Sequence, residues 1–208
     1  MAEKIIEFIN KIDKFYSEFS TELVYNKNLK KIGISEILKD NQKEFNEDFG
    51  EFIKKYRDAL ENTCYNIIIS EGLIFFGGQV VSGVKFSTRL KLQESIMHKI
   101  WRNIEKEIGK INVYKTLNDL IGLRLIILEN FQFKIEKIKK ELESTERFRI
   151  IDKNKNEYYA CHIYTQNNNR IFPLEIQIWD IKYEKSNKDS HEKYKMGYKE
   201  FLEIYNNL

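Results

Sequence analysis

Five residues in one short stretch, Arg89, Lys91, Ser95, Lys99 and Arg102, carry hydrogen-bond donors at a spacing that suits a phosphate chain. With residues 91–108 on a helix at about 100° per residue, Lys91, Ser95, Lys99 and Arg102 fall within an arc of about 80°. Leu92, Ile96, Ile100 and Ile104 fill the neighbouring arc, which would pack inward. Lys91 and Ser95 come near the start of that helix, where unpaired N–H groups and the macrodipole favour anions. The strip could follow a polyphosphate, although the same pattern also describes the solvated face of an ordinary amphipathic helix.

A second set of polar residues sits in strand-like runs. Asp119 precedes Gly122-Leu-Arg-Leu-Ile-Ile-Leu128, where alternation puts Gly122, Arg124 and Ile126 on one face. In Leu174-Glu-Ile-Gln-Ile-Trp179 the residues Glu175, Gln177 and Trp179 share a face, and in Tyr158–Tyr164 so do Tyr158, Ala160, His162 and Tyr164. An arginine within an apolar run usually meets a buried partner or a ligand. The three polar faces describe either a concave site or the wet side of an antiparallel sheet.

These residues need a scaffold, and the periodicity supplies one. Residues 1–62 recur at helical spacing (Ile5, Ile9, Ile12, Tyr16; then Phe45, Phe49, Phe52, Tyr56), with a break near Asn26–Gly33. Strands are expected at Gln79–Phe86, Gly122–Leu128, Phe148–Asp152, Tyr158–Thr165 and Pro173–Trp179, with helices at Leu92–Glu107 and Phe131–Glu143. The expected fold is α/β of the α+β kind: one mixed sheet flanked by helices, in a single domain over 1–208. Its parts are a helical stretch at 1–75, a core at 76–180 and a closing helix at 181–208.

Composition narrows the chemistry. The net charge of +3 excludes a polybasic nucleic-acid binder, yet residues 85–115 hold eight Lys+Arg against three acids, a local +5. That distribution points to a compact anionic ligand. Cys64 and Cys161 form no Cys-x-x-Cys pair, and His98, His162 and His191 are too scattered for a zincin. The most apolar stretch, Ile67–Val84, is broken by Ser70, Glu71, Gln79 and four glycines, so no membrane partner is expected and a soluble, cytoplasmic protein is.

Four runs in order resemble a known family. Arg89-Leu-Lys91-Leu-Gln-Glu-Ser95-Ile-Met-His-Lys99 is similar to the R-x-K-x-x-x-S-I-x-x-K signature of RelA/SpoT-family synthetase domains. Asp119-Leu-Ile-Gly122-Leu-Arg124 resembles their D-x-x-G-x-R, and Glu175-Ile-Gln177-Ile their E-[IV]-Q-[IV]. His191-Glu-Lys-Tyr194-Lys195 resembles the H-x-x-Y-K of their closing helix.

The resemblance implies a nucleotidyltransferase-like synthetase fold and a pyrophosphokinase that moves the β,γ-diphosphate of ATP onto a ribose 3′-hydroxyl. By position, Arg89, Lys91, Ser95, Lys99 and Arg102 would hold ATP, with Arg124 by the adenine and phosphates. Asp119 and Glu175 would bind Mg²⁺, and Glu175 would also accept the hydroxyl proton. Tyr158, His162 and Gln177 would face the acceptor. The length leaves no room for a hydrolase domain, so a small synthetase-only member is expected.

The acceptor run of alarmone synthetases, Asn-Gly-Tyr-Arg-Ser-hydrophobic-His, is here Asn156-Glu157-Tyr158-Tyr159-Ala160-Cys161-His162. Its tyrosine and histidine are kept; its glycine and arginine are replaced. The favoured acceptor is therefore the 3′-CCA end of tRNA, as in toxin-type members that work beside an antitoxin protein. Lys27, Lys30 and Lys31 would then lie near the acceptor-stem backbone. A guanine nucleotide converted to (p)ppGpp is the alternative, followed by an adenine nucleotide and by an inert ATP- or RNA-binding module.

Overall fold

The computed structural model describes residues 1–39, 44–77, 83–107, 111–155, 157–166 and 168–192, without the side chains of 105–107. Gln79–Ser82, Lys110, Tyr194, Lys195 and the rest of the stretch from 193 lie outside the described residues.

Helix α1 (Ala2–Ser20) buries Ile5, Phe8, Ile9, Ile12 and Tyr16 along one stripe, as its spacing dictates. Helix α2 (Glu47–Ala59) starts on Asn46, whose side chain accepts the Phe49 N–H at 2.9 Å. It continues through a π turn (Leu60–Cys64) into α3 (Tyr65–Phe76), which ends at Gly77 with φ of 64°. There follow β1 (Val84–Leu90), α4 (Gln93–Glu107), α5 (Val113–Thr116), β2 (Ile121–Ile127), α6 (Phe131–Glu143), β3 (Phe148–Lys155), β4 (Tyr158–Thr165) and β5 (Glu175–Asp180), with short 3-10 turns at Ile34–Ile37 and Ile181–Tyr183.

The five strands form one mixed sheet in the order β1-β2-β5-β4-β3. Only β2 and β5 run parallel, with Gly122 opposite Glu175 and Arg124 opposite Gln177; the other pairings are antiparallel. This is the mixed α+β fold read from the pattern. One face of the sheet presents Leu123, Leu125, Ile176, Ile178 and Ile163 to a core shared with α1, α3 and α6. Packing there is close: a Cβ on Gly72 of α3 would lie 2.1 Å from the Phe86 ring of β1. The opposite face holds a small cluster of Ile126, Ala160 and Trp179 beside the polar residues. Among the described residues no helix is long and apolar enough to cross a membrane.

Several boundaries differ from the pattern: β1, expected at Gln79–Phe86, covers Val84–Leu90, because it stays paired with β2 as far as Leu90 opposite Ile121, and β5 covers Glu175–Asp180. Strand β3 runs on through Lys155 because hairpin pairing with Ala160, Tyr159 and Tyr158 outweighs the polarity of Lys153-Asn-Lys155. Lys91 lies ahead of α4 and not within it, because its N–H is spent on the Leu120 carbonyl at 2.8 Å.

Candidate active site

Strand β1, helix α4 and the link between them deliver three cations to one carboxylate. Lys91 Nζ donates to Asp119 Oδ2 at 2.7 Å, and Lys99 Nζ to Oδ1 at 2.8 Å. Lys99 also donates to Asn118 Oδ1 at 2.9 Å, and Arg89 Nη2 lies 3.6 Å from Asp119 Oδ2. Asp119 is only 8% exposed. Burial alone would raise its pKa, but the Lys99 and Lys91 ammonium groups outweigh that and hold it well below the usual carboxylate range. Burial lowers the Lys91 pKa, with Asp119 opposing the shift. Ser95 and Arg102, half-buried, lie one turn either side of Lys99 on α4.

Glu175, at the start of β5, is 4% exposed and tied on both oxygens. Its Oε1 accepts from the Tyr164 hydroxyl at 2.8 Å and lies 3.0 Å from His162 Nδ1. Its Oε2 accepts from Gln177 Nε2 at 2.9 Å, with Arg89 Nη2 at 3.9 Å. Burial pushes the Glu175 pKa up and the Asp119 charge adds to that, yet the His162 hydrogen bond brings the net shift downward. Arg89 thus stands between the two carboxylates. Among the described residues no group of three or more histidine, cysteine or acidic side chains could hold a metal.

Arg124 lies over Trp179, 3.7 Å from the ring centroid, and its Nε and Nη2 donate to Gln177 Oε1 at 3.3 and 3.2 Å. His191 stacks on the same indole (5.7 Å, 19°) and sits 3.4 Å from Arg124 Nη2. Burial, with Arg89 nearby, lowers the Arg124 pKa to about 10. The Tyr158 hydroxyl is 2.9 Å from His162 Nε2, and burial pushes its pKa up to about 12.

The sheet therefore unites Arg89, Arg124, Gln177, Glu175, His162 and Tyr158 on one face, with Lys91, Lys99 and Asp119 at its edge. That face is buried: Glu175, Gln177 and His162 are all nearly sealed, so it is not the wet side of a sheet. The hairpin departures also fall into place. Glu157 adopts the left-handed φ of 64° that a glycine would take most readily. Tyr159 points away from the site and stacks on Tyr183 at 4.3 Å.

Sequence reasoning gave no role to Tyr164 or to a cavity of about 440 Å³ beside it, lined by Lys30, Lys115, Asn118, Arg149, Lys153 and Tyr164. Among the described residues no acidic side chain lines it. The alternation Arg149, Ile151, Lys153 along β3 was the available signal, since it places both cations on the face of His162 and Tyr164. Cys64 and Cys161 are buried free thiols whose pKa burial pushes up to about 12, which leaves them inert fillers.

Comparison with known proteins gives a family. The family described as "Region found in RelA / SpoT proteins" matches residues 88–199, more than half of the 208-residue chain. Among solved structures, the small alarmone synthetase 1 from Bacillus subtilis is 20% identical, covering 73% of this chain and 82% of its own, with a TM-score of 0.45. The same enzyme bound to its product pppGpp is 20% identical (74% and 81% covered, TM-score 0.44). The small alarmone synthetase 2 from Bacillus subtilis is 21% identical (74% and 92% covered, TM-score 0.45). No curated protein matches the chain. The family match spans Arg89 to His191, the residues that carry the geometry above, and the chain belongs to the RelA/SpoT family as a pyrophosphokinase of its type.

Proposed function

We propose that the chain transfers the β,γ-diphosphate of ATP to the ribose 3′-hydroxyl of a guanine nucleotide, as a small alarmone synthetase. ATP lies along Arg89, Lys91, Ser95, Lys99 and Arg102, with its adenine toward Arg124. The acceptor base stacks on Tyr158, and its 3′-hydroxyl meets Glu175. The hydroxyl oxygen bonds to the β-phosphorus, the bond from that phosphorus to the α-phosphate bridging oxygen breaks, and AMP leaves. The hydroxyl proton passes to Glu175. Cations already converged on Asp119 then stabilise the charge that develops on the phosphates.

Asp119 and Glu175 suit Mg²⁺ in one respect: an ion that dehydrates reluctantly is held by one or two carboxylates together with substrate phosphates. Both side chains reach Arg89, at 3.6 and 3.9 Å, so a nucleotide that draws Arg89 away opens them to an ion carried with it. Such an ion would neutralise charge on the transferring diphosphate.

One observation carries the choice of acceptor. The cation-lined cavity of about 440 Å³ abuts Tyr164 and, through it, Glu175. It suits the 5′-phosphates of a compact nucleotide. A second reading, the 3′-CCA end of tRNA with an antitoxin as partner, is favoured by the open groove at Tyr158. That groove is lined by Lys153, Lys155 and Ser190, so a base can stack there at the end of a longer chain. Incubation with γ-labelled ATP and GDP, GTP, ADP or deacylated tRNA decides between them. Label in guanosine products supports the first reading, and label only in tRNA overturns it in favour of the second.

A further inference from the structure

Tyr164 takes no part in the family's signature runs, yet it makes one of the shortest contacts to the carboxylate at the centre of the site. In the sheet register it stands directly opposite Glu175. Its hydroxyl donates to Glu175 Oε1 at 2.8 Å, and His162 Nδ1 lies 3.1 Å from the same hydroxyl and 3.0 Å from the same oxygen. Tyr164 is 7% exposed, so a phenylalanine would fill the same space. The hydroxyl is explained by its partner.

We infer that Tyr164 is a positioning residue that fixes which oxygen of Glu175 serves the reaction, an inference that rests on the proposed role of Glu175 as proton acceptor. The two oxygens are not equivalent. Oε1 is anchored inward by Tyr164 and His162 on β4. Oε2 faces the donor side, 3.9 Å from Arg89 Nη2, and a Cβ built on Gly122 would lie 3.8 Å from it. The Arg89 side chain lies against the bare backbone of Gly122, 3.5–3.6 Å from where a Cβ would be, beside the oxygen that Tyr164 turns outward. A carboxylate torsion is broad and soft, so it needs an outside anchor to hold one oxygen in line with an attacking hydroxyl. Gln177 Nε2 holds only Oε2, at 2.9 Å, and of the two groups on Oε1 the Tyr164 hydroxyl is the nearer, at 2.8 Å against 3.0 Å for His162 Nδ1. Tyr164 also forms part of the cavity wall, so one side chain joins the place where acceptor phosphates bind to the group that receives the proton.

The test is steady-state kinetics of the full chain with Tyr164→Phe, Glu175→Gln and the parent, alongside their melting temperatures. Tyr164→Phe is expected to lower kcat about 10-fold to 100-fold, the range of one charge-assisted hydrogen bond that acts on a reacting group. KM for ATP should stay within about twofold, and acceptor KM should rise far less than kcat falls, because the hydroxyl is spent on Glu175 and the ring that lines the cavity is kept. Parent-like kcat in Tyr164→Phe, beside an inactive Glu175→Gln, overturns the positioning role alone. So does a loss of kcat in Tyr164→Phe that comes with proportionate rises in both KM values and a lower melting temperature. Full activity in Glu175→Gln overturns the underlying reading of the base.

Discussion

The side chain of Asn187 pairs with the backbone of Tyr159 as a strand would: its Oδ1 accepts the Tyr159 N–H and its Nδ2 donates to the Tyr159 carbonyl, both at 2.8 Å. Pairing between β4 and β5 begins only at Cys161, so these two groups of β4 have no strand partner on that side. One buried amide continues the hydrogen bonding of β4 where its pairing with β5 has stopped, and it fixes the backbone next to Tyr158. Asn187→Leu leaves two backbone groups without partners. Unfolding by urea should show a loss of about 2–4 kcal/mol. A loss below 0.5 kcal/mol, on the order of a neutral surface change, would refute the clamp.

Gly72 is where α3 lies flush on β1. A methyl group there would sit 2.1 Å from Phe86 Cε1, in an aromatic cluster that also includes Phe8 and Phe76. Helix propensity favours Gly72→Ala by about 1 kcal/mol, but overpacking opposes it more strongly. The variant should melt lower, with a net loss of about 1–2 kcal/mol.

His191 gives the fold an acid-sensitive point. Burial, then the neighbouring positive charges of Arg124 and Arg89, lower its pKa from 6.5 to about 4. Between those values the unfolded chain binds the proton and the folded chain does not, so stability rises with pH through the window of about 4 to 6.5. The contribution is complete above pH 6.5 and is lost as pH falls through the folded value. Solvent screening of a partly exposed ring limits it to about 1–2 kcal/mol. Denaturation measured at several pH values should show this slope in the parent and a shallower one in His191→Gln.

The acceptor side is separable from the donor side by mutation. Tyr158→Ala removes a stacking platform worth about 1–3 kcal/mol per base, so acceptor KM should rise about 5-fold to 150-fold with ATP affinity nearly unchanged. Arg149→Glu reverses charge in the cavity and should raise acceptor KM by about tenfold or more, again without a matching change for ATP. Equal damage to both substrates in either variant would contradict this division. Isothermal titration with a non-hydrolysable ATP analogue gives the comparison.

The sequence made some of this legible and hid the rest for identifiable reasons. Alternation alone grouped Tyr158 with His162 and Glu175 with Gln177, because a strand has only two faces. It could not say that β2 and β5 lie side by side, since the intervening helix and hairpin give no account of strand order; so the meeting of Arg124 with Gln177 was invisible. The convergence of Lys91 and Lys99 was misread as one helical stripe, because a backbone bond to Leu120 holds Lys91 outside α4. Alternation grouped Tyr164 with Tyr158 and His162 on one face of its strand but gave it no task. Its meaning depends on the residue across from it, which no local pattern contains.

The single parallel pairing in the sheet has a further consequence. Strands β2 and β5 start at the same end, so Asp119 and Glu175 are brought close by the sheet itself, while Tyr158, His162 and Tyr164 hang on the excursion between them. The hairpin of β3 and β4 can change its tip without moving either carboxylate or the cations on β1 and α4. A change of residues at the hairpin tip, such as Glu157 at its left-handed turn, therefore leaves the spacing of the two carboxylates untouched.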